Sequence, residues 1–360
     1  MKKSLIALAV MAASGAAMAQ SSVTLFGVVD EAVSYVNGGK NWNGLNSGGN
    51  STSRIGFRGV EDLGGGLKAN FWLEAGILAD SGSGASGGAT GNGLEFKRRS
   101  TVGLEGGFGE VRLGRDLTEA YKTTSRYDVF GQVGYGVSRL WGDAALGNGG
   151  NAVALTNQRV SNMITYVSPN FSGFKAAVNY GFGEVAGSNK TNRYFGGGLS
   201  YDNGPLSIGL SAERQNTVVA PASLATRNVT DWALGASYDF GVVKLAGAYK
   251  DSQAKDDLTG NKDKMKGYYI GLSAPVGAAG EVKASYNRYQ GQLAGADKYK
   301  ADQFALGYVH NLSKRTAVYG TYAYIKNKDD GALGISLQNG VDLKNNGSQH
   351  GLQVGIRHNF

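Results

Sequence analysis

The 360-residue chain has no cysteine, 4 prolines and 3 histidines. Without cysteine, no disulfide framework, thiolate metal site or thiol nucleophile can form. His310, His350 and His358 sit at or near segment ends, with no spacing that suggests a metal centre or a nucleophile triad. There is no GxSxG elbow, phosphate loop or paired metal motif. Enzyme chemistry therefore finds little support. No window of eighteen apolar residues follows the leader, so no transmembrane helix is available. The mean hydropathy of −0.24 does not imply solubility. A membrane-spanning strand hides its apolar band in every second residue.

What the chain does have is 58 glycines and 19 tyrosines, a composition suited to many short strands and glycine-rich connections. Its first nineteen residues carry Lys2 and Lys3, an apolar run from Leu5 to Val10 and the small-residue ending Ala17-Met18-Ala19. This pattern predicts a secretory signal peptide over 1–19, cleaved before Gln20, with 20–360 as one domain. An exported chain without cysteine needs another means of closure, and a closed sheet supplies one.

Segments of about ten residues recur with a period of two. Phe174, Ala176, Val178, Tyr180 and Phe182 share one face, opposite Lys175 and Asn179. Leu206, Ile208 and Leu210 alternate with Ser207, Gly209, Ser211 and Glu213, and Trp232, Leu234, Ala236 and Tyr238 with Gly235, Ser237 and Asp239. Charges on the second face mark it as wet. Lys244, Lys283, Arg357 and Glu74 belong to the same set. Connections alternate between short turns, as at 62–66, 106–109 and 202–205, and long loops, as at 37–52, 79–94 and 327–348. The alternation predicts about sixteen antiparallel strands with both termini at the short-turn end. A sheet of that size avoids two exposed edges only by closing. Aromatic rings at strand ends and strands long enough to cross a bilayer at a tilt point to an all-β transmembrane barrel with its apolar face outward.

Residues 116–158 break the pattern. About forty residues without strand periodicity call for a purpose or for disorder. Tyr121, Tyr127, Phe130, Tyr135, Leu140 and Trp141 give this stretch an aromatic surface that a solvated linker lacks, and Gly131, Gly134 and Gly136 allow tight turns. It reads as a loop folded into an enclosed space.

Four motifs in order, Ser53-Arg54-Ile55-Gly56-Phe57-Arg58-Gly59, RRSTVGL at 98–104, VRLGR at 111–115 and YDVFG at 127–131, resemble those of the general, non-specific porins of Gram-negative outer membranes, especially the β-proteobacterial branch. The resemblance runs from Ser22 to Phe360. It implies a trimeric outer-membrane pore for ions and small hydrophilic solutes, narrowed by 116–158. It further implies that Phe360, ending a strand on whose outer face lie Leu352, Val354, Ile356 and His358, is the signal read by the outer-membrane insertion machinery.

Strand parity directs Arg54 and Arg58 into the lumen, opposite Ile55 and Phe57. The resemblance adds Arg98 and Arg159 to the same wall, although Arg98 shares a face with Val102 and Leu104. It sets Asp128, with Glu119 as a second loop carboxylate, across from them; an aspartate in that motif is equally suited to accept backbone amides in a turn. Guanidiniums stay charged at any working pH, so a modest anion preference is expected. The basic balance, formally +8, also suits nucleic acid, but export and the lack of any nucleic-acid motif exclude that partner. Lipopolysaccharide is the expected contact of the outer-loop lysines. An adhesion barrel whose loops hold a partner is the alternative reading, and conductance separates the two. No cofactor is expected.

Overall fold

The computed structural model describes residues 22–38, 40–85, 93–138, 158–220, 225–335 and 346–360. The expected signal peptide lies outside the described residues, as do 139–157 of the long loop. In chain order the strands are β1 (Ser22–Val36), β2 (Trp42–Ser47), β3 (Arg54–Gly64), β4 (Leu67–Leu78), β5 (Ser83–Gly84), β6 (Arg99–Gly106), β7 (Gly109–Leu117), β8 (Arg159–Val167) and β9 (Phe174–Gly181). They continue as β10 (Tyr194–Asn203), β11 (Leu206–Ala220), β12 (Ala225–Asp239), β13 (Lys244–Asp256), β14 (Lys262–Val276), β15 (Gly280–Gln292), β16 (Lys298–Asn311), β17 (Thr316–Lys328) and β18 (Ser348–Asn359). The one described helix, α1 (Glu119–Arg126), lies between β7 and β8.

Each strand pairs antiparallel with its neighbour, and β1 closes on β18 in the register Val28 to Asn359 through Val36 to Gly351. Two pieces are not full staves. β1 pairs along its upper half with β2 and along its lower half with β3, so these two share one place in the wall; β5 pairs only with the top of β4. The wall is a closed sixteen-stranded antiparallel barrel. Closure satisfies the backbone groups that lipid could not, which is why such a sheet can span a membrane.

Alternation assigns the two faces. The outer face of β14 reads Lys262, Lys264, Lys266, Tyr268, Ile270, Leu272, all exposed, while Met265, Gly267 and Tyr269 point inward and are buried. Bases give way to an aromatic ring and then to aliphatic residues as the strand descends, the order of a water-to-hydrocarbon interface. Tyr249, Tyr286, Phe304 and Tyr322 carry that ring level round the neighbouring strands, and Tyr238, Phe240 and Tyr308 mark the opposite rim. The lumen holds a core of its own, made by Tyr127, Phe130 and Tyr135 of the long loop with Tyr269, Tyr289 and Ile325 of the wall.

Candidate pore constriction

The long loop begins with α1. Thr118 caps the helix by accepting the Tyr121 amide at 3.3 Å, and Glu119 occupies its first turn. The helix packs against the inner faces of β10, β11 and β12, where the Ala120 amide donates to Glu213 at 3.2 Å. Gly235 of β12 leaves the notch that takes the Tyr127 ring; a Cβ there would lie 2.1 Å from Tyr127 Cδ2. Beyond α1 the chain follows the wall. The Val129 amide donates to the Tyr269 hydroxyl at 2.8 Å, and Gln303 Nε2 donates to the carbonyls of Tyr135 and Val137, both at 3.1 Å. Tyr135 donates its amide to Gln353 Oε1 at 2.8 Å. Gly134, at φ 67°, abuts the turn at 48–53, where a side chain would strike the Gly49 carbonyl. The described part of the loop thus lines the wall from β10 round to β18 and leaves the β3–β8 wall facing the open lumen.

That free wall carries the arginines. Arg54 and Arg58 share the inner face of β3 with Gly56, directly opposite Gly76, Trp72 and Glu74 of β4. Arg98 precedes β6, so strand parity does not bind it; its Nε reaches Glu74 Oε1 at 2.5 Å, and Arg54 stands 3.9 Å from the same oxygen. Arg159 donates its Nε to the Arg98 carbonyl at 2.7 Å and faces the Tyr121 ring of α1 at 5.9 Å. Arg58 contacts the rings of Phe26 and Trp72 at 5.3 and 5.2 Å. Among the described residues no carboxylate pairs with it.

Two arginines join this wall that the motif reading did not single out. Arg99 also points inward, stacked on Trp72 at 4.7 Å and 3.7 Å from Asp116. Arg112 bridges Glu110 at 2.5 Å and Asp116 at 3.1 Å. Asp116 keeps the inward phase of Glu110 and Arg112 along β7; the register shift beside it falls on β8, where Val160 to Met163 oppose Asp116 to Gly114. Alternation against Val102 and Leu104 already marked Arg99 as inward; the only obstacle was its neighbour Arg98, whose side chain leaves the strand rule.

The loop carboxylates do not oppose the arginines as expected. Asp128 is buried within the loop, accepting the amides of Phe130, Gln132 and Ser138 at 2.9, 3.2 and 2.9 Å and the Gln132 side-chain amide at 3.0 Å. It is a turn acceptor, the bland alternative for that motif. Burial pushes its carboxyl above the ordinary aspartate range, although the Ser138, Phe130 and Gln132 amides pull the other way. Glu119 turns toward the wall at Gly198 and pairs with Lys122 at 2.7 Å. A loop packed against a wall must satisfy its own buried amides, which takes up Asp128, while Glu119 is taken up by the lysine one turn along the helix. Residues 332–335 also tuck into the lumen, with Leu333 and Ile335 buried and the Ile335 amide on Gln349 at 3.0 Å.

The geometry is that of a water-filled barrel with a basic wall opposite a packed internal loop, and comparison with known proteins agrees. Residues 5–330 match the family model described as Gram-negative porin. The chain is 49% identical to outer membrane porin protein 32 of Delftia acidovorans, over the whole of both chains. This protein belongs to the Gram-negative porin family. It is also similar to the solved anion-selective porin from Comamonas acidovorans, with 44% identity, a TM-score of 0.80 and coverage of 95% of this chain and 100% of that one. OmpT of Vibrio cholerae, solved in a trimer form, shares the fold at a TM-score of 0.70 and 14% identity, over 95% of this chain and 100% of that one. The porin is an outer-membrane channel: strands cross the bilayer, the inner face stays wet, and solutes pass through the lumen.

Proposed function

We propose that this porin is a general diffusion pore with a modest preference for small hydrophilic anions, set at the wall formed by Arg54, Arg58, Arg98, Arg99, Arg112 and Arg159. The observation that carries the reading is the imbalance across the lumen. Six arginines meet three carboxylates on their own wall, Glu74, Glu110 and Asp116, while Asp128 and Glu119 of the facing loop are used internally. Two unit charges about 4 Å apart interact by about 4 kcal/mol at an effective dielectric of 20, but by about 1 kcal/mol in water. A wet pore lies near the lower figure, so the preference is small and falls as salt is added. The reversal potential of reconstituted pores in a low-salt KCl gradient tests this, and a cation-selective wild type would end it.

The working unit in this reading is a homotrimer whose contact surface is the aliphatic sector of early strands, with Val23, Leu25, Val33, Val102 and Leu104 outward. It is continued by the last strand, β18, with Leu352, Val354 and Ile356 outward, and by the loop at 79–94, of which 86–92 lie outside the described residues. The aromatic belt on β13–β17 is then the lipid side. Above that belt Lys264, Lys266 and Lys298 line an outward cavity with Gln253, Gln290, Gln292 and Asp251, a surface suited to the phosphates and hydroxyls of lipopolysaccharide. Phe360, which exchanges backbone hydrogen bonds with Gly27 at 3.0 and 3.1 Å, serves as the assembly signal.

A further inference from the structure

Trp72 is a large aromatic residue on the inner face of β4, in an aqueous lumen where no lipid would cover it. Three charged groups from three strands meet it. Arg58, its direct partner on β3, lies 5.2 Å from the ring, and Arg99 of β6 lies 4.7 Å from it on the opposite flank of the strand. The indole N–H donates to Glu74 Oε2 at 3.1 Å, leaving Oε1 to Arg98 and Arg54. Phe26 completes the packing edge-on at 5.1 Å and also touches Arg58.

We propose that Trp72 is the positioning residue of the anion-selective wall, holding Arg58 and Arg99 apart from Glu74. This rests on the anion-preferring reading above. Arginine is flexible and loses rotamer freedom when fixed, so an isolated guanidinium on a wet strand would sample many directions. One of these leads to Glu74, which sits one inward position from Trp72 and opposite Gly56, where no side chain intervenes. An arginine folded onto that carboxylate becomes half of a neutral pair and offers the passing ion few free N–H groups. Stacking on the indole blocks this collapse by two routes. The ring face attracts the guanidinium, and the indole N–H occupies the carboxylate oxygen that an incoming arginine would take. Arg58 is thereby kept unpaired, its donors facing the lumen.

The experiment is a double-mutant cycle read by reversal potential in a KCl gradient at about 0.1 M. Trp72→Leu should lower the anion-to-cation permeability ratio at least twofold, and Trp72→Phe, which keeps a ring for both guanidiniums, should restore most of it. In a Glu74→Gln background, Trp72→Leu should have no effect on the ratio, because the acceptor for the collapse is gone. Heat-modifiable gel migration confirms that each variant is a folded barrel. A folded Trp72→Leu pore with the wild-type ratio, a Trp72→Phe pore as weak as Trp72→Leu, or an equal loss in the Glu74→Gln background would each overturn the proposal. A wild-type pore without anion preference would instead remove the reading beneath it.

Discussion

The Tyr319 hydroxyl of β17 reaches across β18 to donate to the Asp30 carboxylate of β1 at 2.5 Å. It passes over Gly355, where a Cβ would lie 2.5 Å from the hydroxyl. The same carboxylate accepts the amides of Gly49, Asn50 and Ser51 at 3.0, 3.1 and 2.7 Å. One buried aspartate thus joins the closing seam of the barrel to the turn that interrupts its second stave, and that turn is the seat of Gly134, near the end of the first described stretch of the internal loop.

Asp30→Asn should therefore weaken both closure and loop seating. An amide group presents N–H where three backbone donors converge, and hydrogen bonds to a charged acceptor contribute about 1.5–3 kcal/mol each. The expected result is a lower midpoint for heat denaturation of the folded barrel, together with noisier single-channel current. Tyr319→Phe, which removes one donor and leaves the carboxylate, should show a smaller drop. Equal midpoints for all three proteins would contradict this account.

Asp128→Ala separates a structural acid from a selective one. Its carboxylate organises the backbone of 130–138, so removing it should leave buried amides without an acceptor and loosen the loop. Conductance noise should rise while the reversal potential stays near wild type. A clear shift toward anions on this substitution would return Asp128 to the role of an opposing charge in the pore.

Much of this was legible in the chain, for a physical reason. A barrel wall obeys a period of two with lipid on one side, so the inward direction of Arg54, Arg58, Lys175 and Lys244 follows from their neighbours alone. The loop's aromatic residues announced an enclosed packing partner, and Tyr127, Phe130 and Tyr135 are buried there. Parity ceases to inform where strands end. Arg98 turns inward from outside β6, whereas Asp116 keeps the inward phase of Glu110 and Arg112. Nor can a sequence say that Asp128 accepts the loop's own amides and that Glu119 pairs with Lys122, which is why both read as groups facing the pore. Trp72 was overlooked because an inward aromatic residue carries no charge; the sign was a tryptophan placed in phase with Arg-facing positions.

Gly235→Val should undock α1. Its notch admits the Tyr127 ring at a distance no Cβ could share, and the backbone behind it cannot yield as a flexible side chain would. Displacing Tyr127 also strains its contact with Ser207 at 3.2 Å. The expected outcome is a folded barrel whose single-channel conductance differs from wild type by more than a third. Tyr127→Ala in the same background should relieve the clash and add no further change. Wild-type conductance in Gly235→Val would show that the helix seat lies outside the current path.

Replacing Lys264, Lys266 and Lys298 together by glutamine should reduce the lipopolysaccharide that stays with the purified barrel. The three bases have no acidic partner among the described residues, and each base near an anionic leaflet contributes about 1 kcal/mol. Retention is measured by phosphate and sugar content after detergent washing. Channel conductance should not change, because these side chains face away from the lumen. Undiminished retention would mean that the lysines are only a solvated rim.

Arg54→Ser with Arg58→Ser removes two inward charges without touching the lipid face, so the barrel should fold and its reversal potential should move toward cations. The size of the shift follows from distance and salt. At physiological ionic strength the Debye length is about 8 Å, comparable to the reach from a pore wall toward its axis, whereas in about 1 M salt it falls to about 3 Å. The difference between the variant and wild type should accordingly be largest in dilute KCl and shrink steeply in molar KCl. A pore that owed its preference to its narrow width would behave otherwise, discriminating by ion size at every salt concentration. A variant whose shift persists undiminished in molar KCl would place the selective contact at ion-pair distance, and the diffuse field of the arginine wall would no longer be the cause.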